Sequence, residues 1–288
     1  MSTEALIQID KLTFEYKTQP IFADFNLAVP GDQFIGLIGS NGSGKSTLLK
    51  LLTGRLKANK GQVLVLNRAP GSFANKFFVG SSFQEIDFPG TEKVEEILMF
   101  VCKQYPKAFD PEKLIIDFNL TEFRKKACGQ LSGGMKRRLA LACAFAGQPD
   151  IVLLDEPTTG LDLPSRKALV RNIKAYQASH HALVIMISHH PDEVMESVDQ
   201  FFHIKKGTLQ RVSTDRMREL AKIRKIQFDS SENQKLPEAL KAEFSNGRYT
   251  ILSTDSDQWI ADLSRSDVSF NNLLISPLGS EELLQEVL

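Results

Sequence analysis

The stretch Gly39-Ser40-Asn41-Gly42-Ser43-Gly44-Lys45-Ser46 decides the fold. It fits the pattern G-x-x-x-x-G-K-[ST], and its flanks supply the frame that the pattern needs. Before it, Phe34-Ile35-Gly36-Leu37-Ile38 reads as a buried strand. After it, Lys45 to Leu52 reads as a helix that Gly54 is placed to end. Such a strand–loop–helix turns successive backbone N–H groups inward around phosphate oxygens, and the helix N-terminus adds positive potential. Gly39, Ser40, Asn41, Gly42, Ser43, Gly44 and Thr47 then belong to the cradle. Lys45 is expected to reach the outer phosphates, and the Ser46 hydroxyl to ligate Mg²⁺. Without the flanking strand and helix, the same residues would read as a glycine-rich turn.

A second motif completes the chemistry. Ile151-Val152-Leu153-Leu154-Asp155-Glu156 is an apolar strand ending in two carboxylates, delivered to the carboxyl edge of a parallel sheet where open α/β folds bind ligands. Adjacent side chains on a strand diverge, so the two acids serve different tasks. Asp155 suits the Mg²⁺ shell, since Mg²⁺ takes few carboxylates and keeps its waters. Glu156 suits deprotonation of an attacking water. Leu131-Ser132-Gly133-Gly134-Met135 opens a helix, with Ser132 as N-cap and two glycines that leave the helix N-terminus open to a phosphate.

The 288 residues carry 42% hydrophobic content, enough for one large domain plus an appendage. The 35 basic and 35 acidic residues cancel, which argues against a nucleic-acid partner. The densest basic run, Lys136-Arg137-Arg138, reads as a solvated helix face. Three cysteines, Cys102, Cys128 and Cys143, are too few for a disulfide framework and lack metal-ligand spacing, so a reducing compartment is expected. The start Met1-Ser2-Thr3-Glu4-Ala5 lacks the features of a secretory signal. The longest apolar stretch, Leu139 to Gly147, covers about half of a bilayer span. A membrane-spanning part, if there is one, is expected from another chain.

Along the chain, the first thirty residues read as β, with alternation in Leu12-Thr13-Phe14-Glu15-Tyr16 and an apolar-rich Ile21 to Val29. Gly61 to Leu66 is a further strand. Residues Thr91 to Gly147 turn helical: Glu92 to Tyr105, a start capped at Asp110-Pro111, and Met135 to Ala146. Ile151 to Leu154 and Ala182 to Ile187 read as buried parallel strands around a helix near Leu163 to Ser179, and Phe201 to Val212 as a hairpin broken at Lys206-Gly207. A helix near Thr214 to Arg224 leads into a tail read as Ile226–Phe228 strand, Pro237–Phe244 helix, Tyr249–Ser253 strand, Asp257–Ser264 helix, Leu273–Ile275 strand and Glu281–Val287 helix.

Over roughly residues 5 to 212 this order of motifs closely resembles the ATP-binding cassette (ABC) family, the ATPase subunits of ABC transporters. Residues 131–135 stand at its signature motif, with Met135 in place of the usual final Gln. Gln84 matches its Q-loop, Gly160-Leu161-Asp162 its D-loop, His189 its switch histidine, and Tyr16 the aromatic that stacks on adenine. Each has a plainer reading alone. Gln84 is a loop amide, Asp162 a helix cap, His189-His190 a metal pair without partners, and Tyr16 strand core beside Phe14.

The resemblance implies an α/β P-loop core, a mixed sheet with an antiparallel β subdomain and a helical insert. Residues 1–213 would form the nucleotide-binding domain, with the helical part at about 85–147, and 214–288 a linker helix and small α/β domain. It also implies ATP hydrolysis with Mg²⁺. Lys45, Glu156, Gln84 and His189 would be catalytic; Ser46, Asp155 and Gln84 would bind the metal; Ser132, Gly133, Gly134 and Asp162 would act at the nucleotide across a dimer. A homodimer or a heterodimer would satisfy this, beneath separate permease subunits on the cytoplasmic face of the membrane. The resemblance is strongest to exporters of the multidrug and antibiotic-resistance type, whose signatures vary at this position, and the short mixed α/β tail differs from the larger β-rich appendage of sugar-type importers. Importer ATPases are the alternative, followed by soluble ABC ATPases and a non-enzymatic ATP sensor. The single cassette and short spacing disfavour the soluble enzymes, and retention of Glu156 and His189 disfavours the sensor.

Overall fold

The alternating and apolar runs near the N-terminus become two long antiparallel strands, β1 (Ala5–Tyr16) and β2 (Gln19–Pro30). The computed structural model describes residues 5–84, 87–188, 194–230, 242–245, 247–265, 270–278 and 282. After β3 (Gln33–Ile38) and helix α1 (Lys45–Leu52), strand β4 (Lys60–Val65) pairs with the free side of β1, giving a sheet in the order β2-β1-β4. A second sheet gathers β3 with β5 (Val79–Ser82), β6 (Ile151–Asp155), β7 (Leu183–Ile187), β8 (Gln200–Lys205) and β9 (Thr208–Val212), in the order β5-β6-β7-β3-β8-β9. All its pairings are parallel except the β8–β9 hairpin. Strands β6 and β7 are buried at every residue, as a sheet covered on both faces requires.

Helix α1 is the joint of this arrangement. Leu48, Leu49, Leu51 and Leu52 share one buried cluster with Phe22 and Leu27 of β2 and with Ile35, Leu153 and Ile185 of the parallel strands. The loop that precedes α1 is therefore fixed by packing on two sheets. Between β5 and β6 lie α2 (Val94–Cys102), α3 (Pro111–Asp117) and α4 (Gly133–Phe145). Asp110 caps α3 by accepting from the Glu112 N–H at 3.0 Å, and Arg124 joins α2 to α3 through Glu95 at 2.8 Å and Glu112 at 2.9 Å. Helix α5 (Leu163–His180) then leads to β7. The expected helix at Met135 begins two residues earlier, because Ser132 caps it, and the one expected over Glu92 to Tyr105 is shorter at both ends.

A first compact unit ends at Val212 and a second runs from Ser213, one residue before the expected break at 213/214. In the second, α6 (Thr214–Ala221) precedes β10 (Arg224–Asp229), β11 (Glu243–Ser245), β12 (Arg248–Ser253), α7 (Ser256–Arg265) and β13 (Asn271–Pro277). Its strands pair antiparallel throughout, in the order β11-β12-β10-β13, over a core of Ile226, Phe228, Tyr249, Ile251, Trp259 and Leu263. The expected helix Pro237–Phe244 is corrected at its end. Glu243 and Phe244 lie in β11, where the Phe244 ring packs on Tyr249 at 4.6 Å, and residues 237–241 lie outside the described residues. The helix expected at Glu281–Val287 also lies outside them, Glu282 excepted.

Strand β5 had no signal in the sequence, since Val79-Gly80-Ser81-Ser82 is short and scarcely apolar. Its Gly80 explains how the helical segment seats on the sheet. A Cβ there would stand 2.0 Å from the Ala144 carbonyl oxygen of α4 and 2.9 Å from Pro149. Gly80→Ala is expected to lower the unfolding free energy by about 1–3 kcal/mol, the usual cost of overpacking, read from urea denaturation. An unchanged midpoint would refute the close approach.

Candidate nucleotide site

The phosphate loop leaves the carboxyl end of β3 and turns into α1 at Gly44, whose φ of 106° is open to glycine. A Cβ on Gly44 would come within 2.8 Å of Ile21 and 2.9 Å of Phe22, so bare backbone is required there. Lys45 is 6% exposed, and its Nζ donates to the Gly39 carbonyl at 2.7 Å and the Ser40 carbonyl at 2.9 Å. Burial pushes its ammonium below the usual lysine range, against the pull of the Glu156 and Asp155 carboxylates. The side chain thus lies along the loop it serves. Ser43 is buried with a hydroxyl that has no hydrogen-bond partner among the described residues, whereas Ser40, Asn41 and Gly42 are exposed.

Because β7 lies between β3 and β6, the ends of all three strands meet beside this loop. Asp155 and Leu37 flank Ile187 from either side. Asp155 is 5% exposed. Burial raises its carboxyl above the ordinary range, and a hydrogen bond from the Ser46 hydroxyl offsets part of that rise. Its Oδ1 is buried without a partner among the described residues. Glu156 follows with φ of 51°, a left-handed backbone that costs a non-glycine residue about 1–2 kcal/mol. Thr159 donates a hydroxyl to Glu156 Oε2 at 3.2 Å.

The other expected residues lie on separate elements of the chain. Tyr16, at the end of β1, exposes 42% of its surface and meets buried Phe14 edge-on at 4.9 Å, so the two rings do not share the core. Gln84 is exposed just beyond β5. Ser132 caps α4 by accepting from the Met135 N–H at 3.3 Å. A Cβ on Gly133 would meet nothing within 4 Å, so packing within this chain does not require glycine at that position. Asp162 caps α5, accepting from the Ser165 N–H at 2.8 Å, and a hydrogen bond from the Ser165 hydroxyl, followed by that N–H, holds its carboxyl below the usual range. His189 lies outside the described residues.

The basic run after the signature differs from the solvated face expected of it. Arg137 donates to the Thr159 carbonyl, and Arg138 lies beside Asp162. Helical spacing puts Arg137 one turn after Gly133 and Gly134, on the same face, but does not show what that face meets. Thr159 carried no signal of its own.

This geometry can grip a triphosphate and place a carboxylate beside it. Comparison with known proteins agrees. A family profile described as ABC transporter matches residues 22–159. The chain is 32% identical over 219 residues to the zinc transport system ATP-binding protein AdcC of Streptococcus pneumoniae, covering 70% of this chain and 90% of that protein. It is 28% identical over 214 residues to the high-affinity zinc uptake system ATP-binding protein ZnuC of Bacillus subtilis, covering 70% and 92%. The dimeric post-hydrolysis structure of the ATP-binding cassette MJ0796 bound to ADP and Pi shares the fold, with a TM-score of 0.63 at 21% identity over 72% of this chain and 98% of that one. The expected exporter subtype finds no support among these relatives, one of which is named for uptake. No described helix is long and apolar enough to cross a membrane. The chain belongs to the ATP-binding, ATP-hydrolysing subunits of ABC transporters.

Proposed function

We propose that the chain energises an importer, pairing with a second cassette and driving separate membrane-spanning permease chains. The observation that carries the ATPase half is the convergence of Lys45, Ser46, Asp155 and Glu156 at one sheet edge. Uptake, rather than the export expected from the family resemblance, rests on relatives such as the zinc uptake ATPase of Bacillus subtilis.

The residues present fit a divalent cation. Asp155 offers a buried oxygen without a partner among the described residues, and the Ser46 hydroxyl already reaches the same carboxylate. Ser46, Asp155 and Gln84 would hold Mg²⁺, which when bound supplies charge neutralisation at the outer phosphates. Lys45 exchanges its two carbonyl partners for the β- and γ-phosphate oxygens of ATP, while Gly39 to Gly44 and Thr47 enclose the chain of phosphates. Tyr16 offers its exposed ring to adenine. Glu156 takes the proton of the attacking water, and His189 steadies the γ-phosphate.

Ser132 and Gly133 are exposed for the nucleotide of the other cassette, and Gly134 lies beside Gly160, two residues before the Asp162 cap. A head-to-tail pair of copies would complete two such sites across one self-complementary interface. For the permease contact, the exposed rings Phe73 (75%) and Phe100 (65%) are the candidates on the segments before and after Gln84 in the chain. Phe73 packs on Phe77 at 5.3 Å, and Phe77 on Tyr105 at 6.4 Å.

Glu156→Gln is expected to lower turnover by roughly 10²–10⁴-fold with ATP affinity retained, read by phosphate release and calorimetry. Near-normal hydrolysis would remove Glu156 from its role. Asp155→Asn is expected to raise the thermal midpoint of the nucleotide-free protein in chelator, because it removes a buried charge, while Mg²⁺-dependent hydrolysis is lost. A lowered midpoint would contradict that account. Direction is tested in proteoliposomes holding the permease with its ATPase side outward. An importer releases preloaded substrate to the ATP side, and ATP-driven accumulation in the lumen would establish export instead.

A further inference from the structure

The signature helix and the proposed base are joined inside one chain by a short relay. Arg137, on the first turns of α4, donates to the Thr159 carbonyl. The hydroxyl of that same Thr159 donates to Glu156 Oε2 at 3.2 Å, and its N–H to the Glu156 carbonyl at 3.3 Å. The turn between them is self-braced. Leu161 N–H reaches the Thr158 carbonyl at 3.1 Å, Gly160 takes φ of 79°, and Arg166 donates to the Leu161 carbonyl at 2.6 Å. The nearest non-neighbour atom to a Cβ on Gly134 would be the Gly160 carbonyl oxygen, at 3.8 Å, so the signature segment and this turn lie side by side.

We infer that Thr159 is a positioning residue for Glu156 and that Arg137 ties it to the signature helix, so that the helix meeting one nucleotide sets the carboxylate acting on the other. The inference rests on the proposed base role of Glu156 and deepens it. The physical argument is one of freedom. A glutamate at an edge has three rotatable bonds, and a productive base needs one setting of its carboxylate. Thr159 removes that freedom with one charge-assisted hydrogen bond. It is exposed in this isolated chain, so its own place depends on the braced turn and on Arg137. When a partner's nucleotide draws on the N-terminus of α4, Arg137 transmits the shift to the Thr159 carbonyl and hence to the glutamate.

The test is a set of variants of the full chain, each assayed for kcat, for KM with ATP and for thermal midpoint. Thr159→Val keeps shape and removes the hydroxyl, and is expected to lower kcat roughly tenfold, the usual effect of losing a bond to a charged group, with KM within about twofold. Thr159→Ser is expected to restore most of the rate. Arg137→Gln is expected to reproduce the Thr159→Val loss, and the double variant to be no slower than either single one. In a Glu156→Gln background, single-turnover hydrolysis should not respond to Thr159→Val. A Thr159→Val enzyme at wild-type kcat beside an inactive Glu156→Gln enzyme overturns the relay and leaves the base assignment standing. An equal loss in the Glu156→Gln background overturns the relay as well. Normal turnover by Glu156→Gln refutes the base assignment itself.

Discussion

The constraint on which this fold turns is the burial of a cation. Lys45 has almost no access to water, and among the described residues its ammonium is stabilised by two loop carbonyls and by the Glu156 and Asp155 carboxylates. A charge in that position is costly unless neighbours compensate. The backbone therefore curls so that Gly39 and Ser40 present oxygens to it, and β6 ends in acids beside it. The parallel strands, the glycine at 44 and the leucines of α1 all serve to hold that curl.

Asp155 shows the same logic from the opposite sign. Its carboxylate is deep, its ordinary ionisation is opposed by burial, and one oxygen has no partner among the described residues. Neither group is arranged for the greatest stability of the free chain. Both are arranged for a polyanion with a divalent cation, whose charges would satisfy them together. The exposed Tyr16 ring, Ser132 and Gly133 complete the picture from outside, since each is left open by its own chain.

Much of this was legible in the residues, and the misses have physical causes. The phosphate loop, its strand and helix, the acidic strand and the Asp110 and Ser132 caps could be read because short-range stereochemistry dictates them. Strand β5 could not, because a glycine and two serines become a strand only through pairing with β6 and through the room α4 needs. Glu243 and Phe244 read as helix and pair as strand, since the contact with Tyr249 lies outside any local window. Arg137 belonged to a basic run that looked solvated, and only tertiary structure brings the Thr159 carbonyl to it. The expected export type drew on family analogy and on the short mixed α/β tail, neither of which carries physical information about direction.

The left-handed backbone at Glu156 has an evolutionary corollary. Glycine or asparagine would sit there with less strain, so the backbone itself exerts no pressure to keep an acid at this position, and only the charge facing Lys45 and the reaction do. A lineage released from the need to split ATP would drift away from glutamate here early, at the cost of part of the compensation of Lys45. Decayed copies of such cassettes should therefore lose this residue while their cores stay intact.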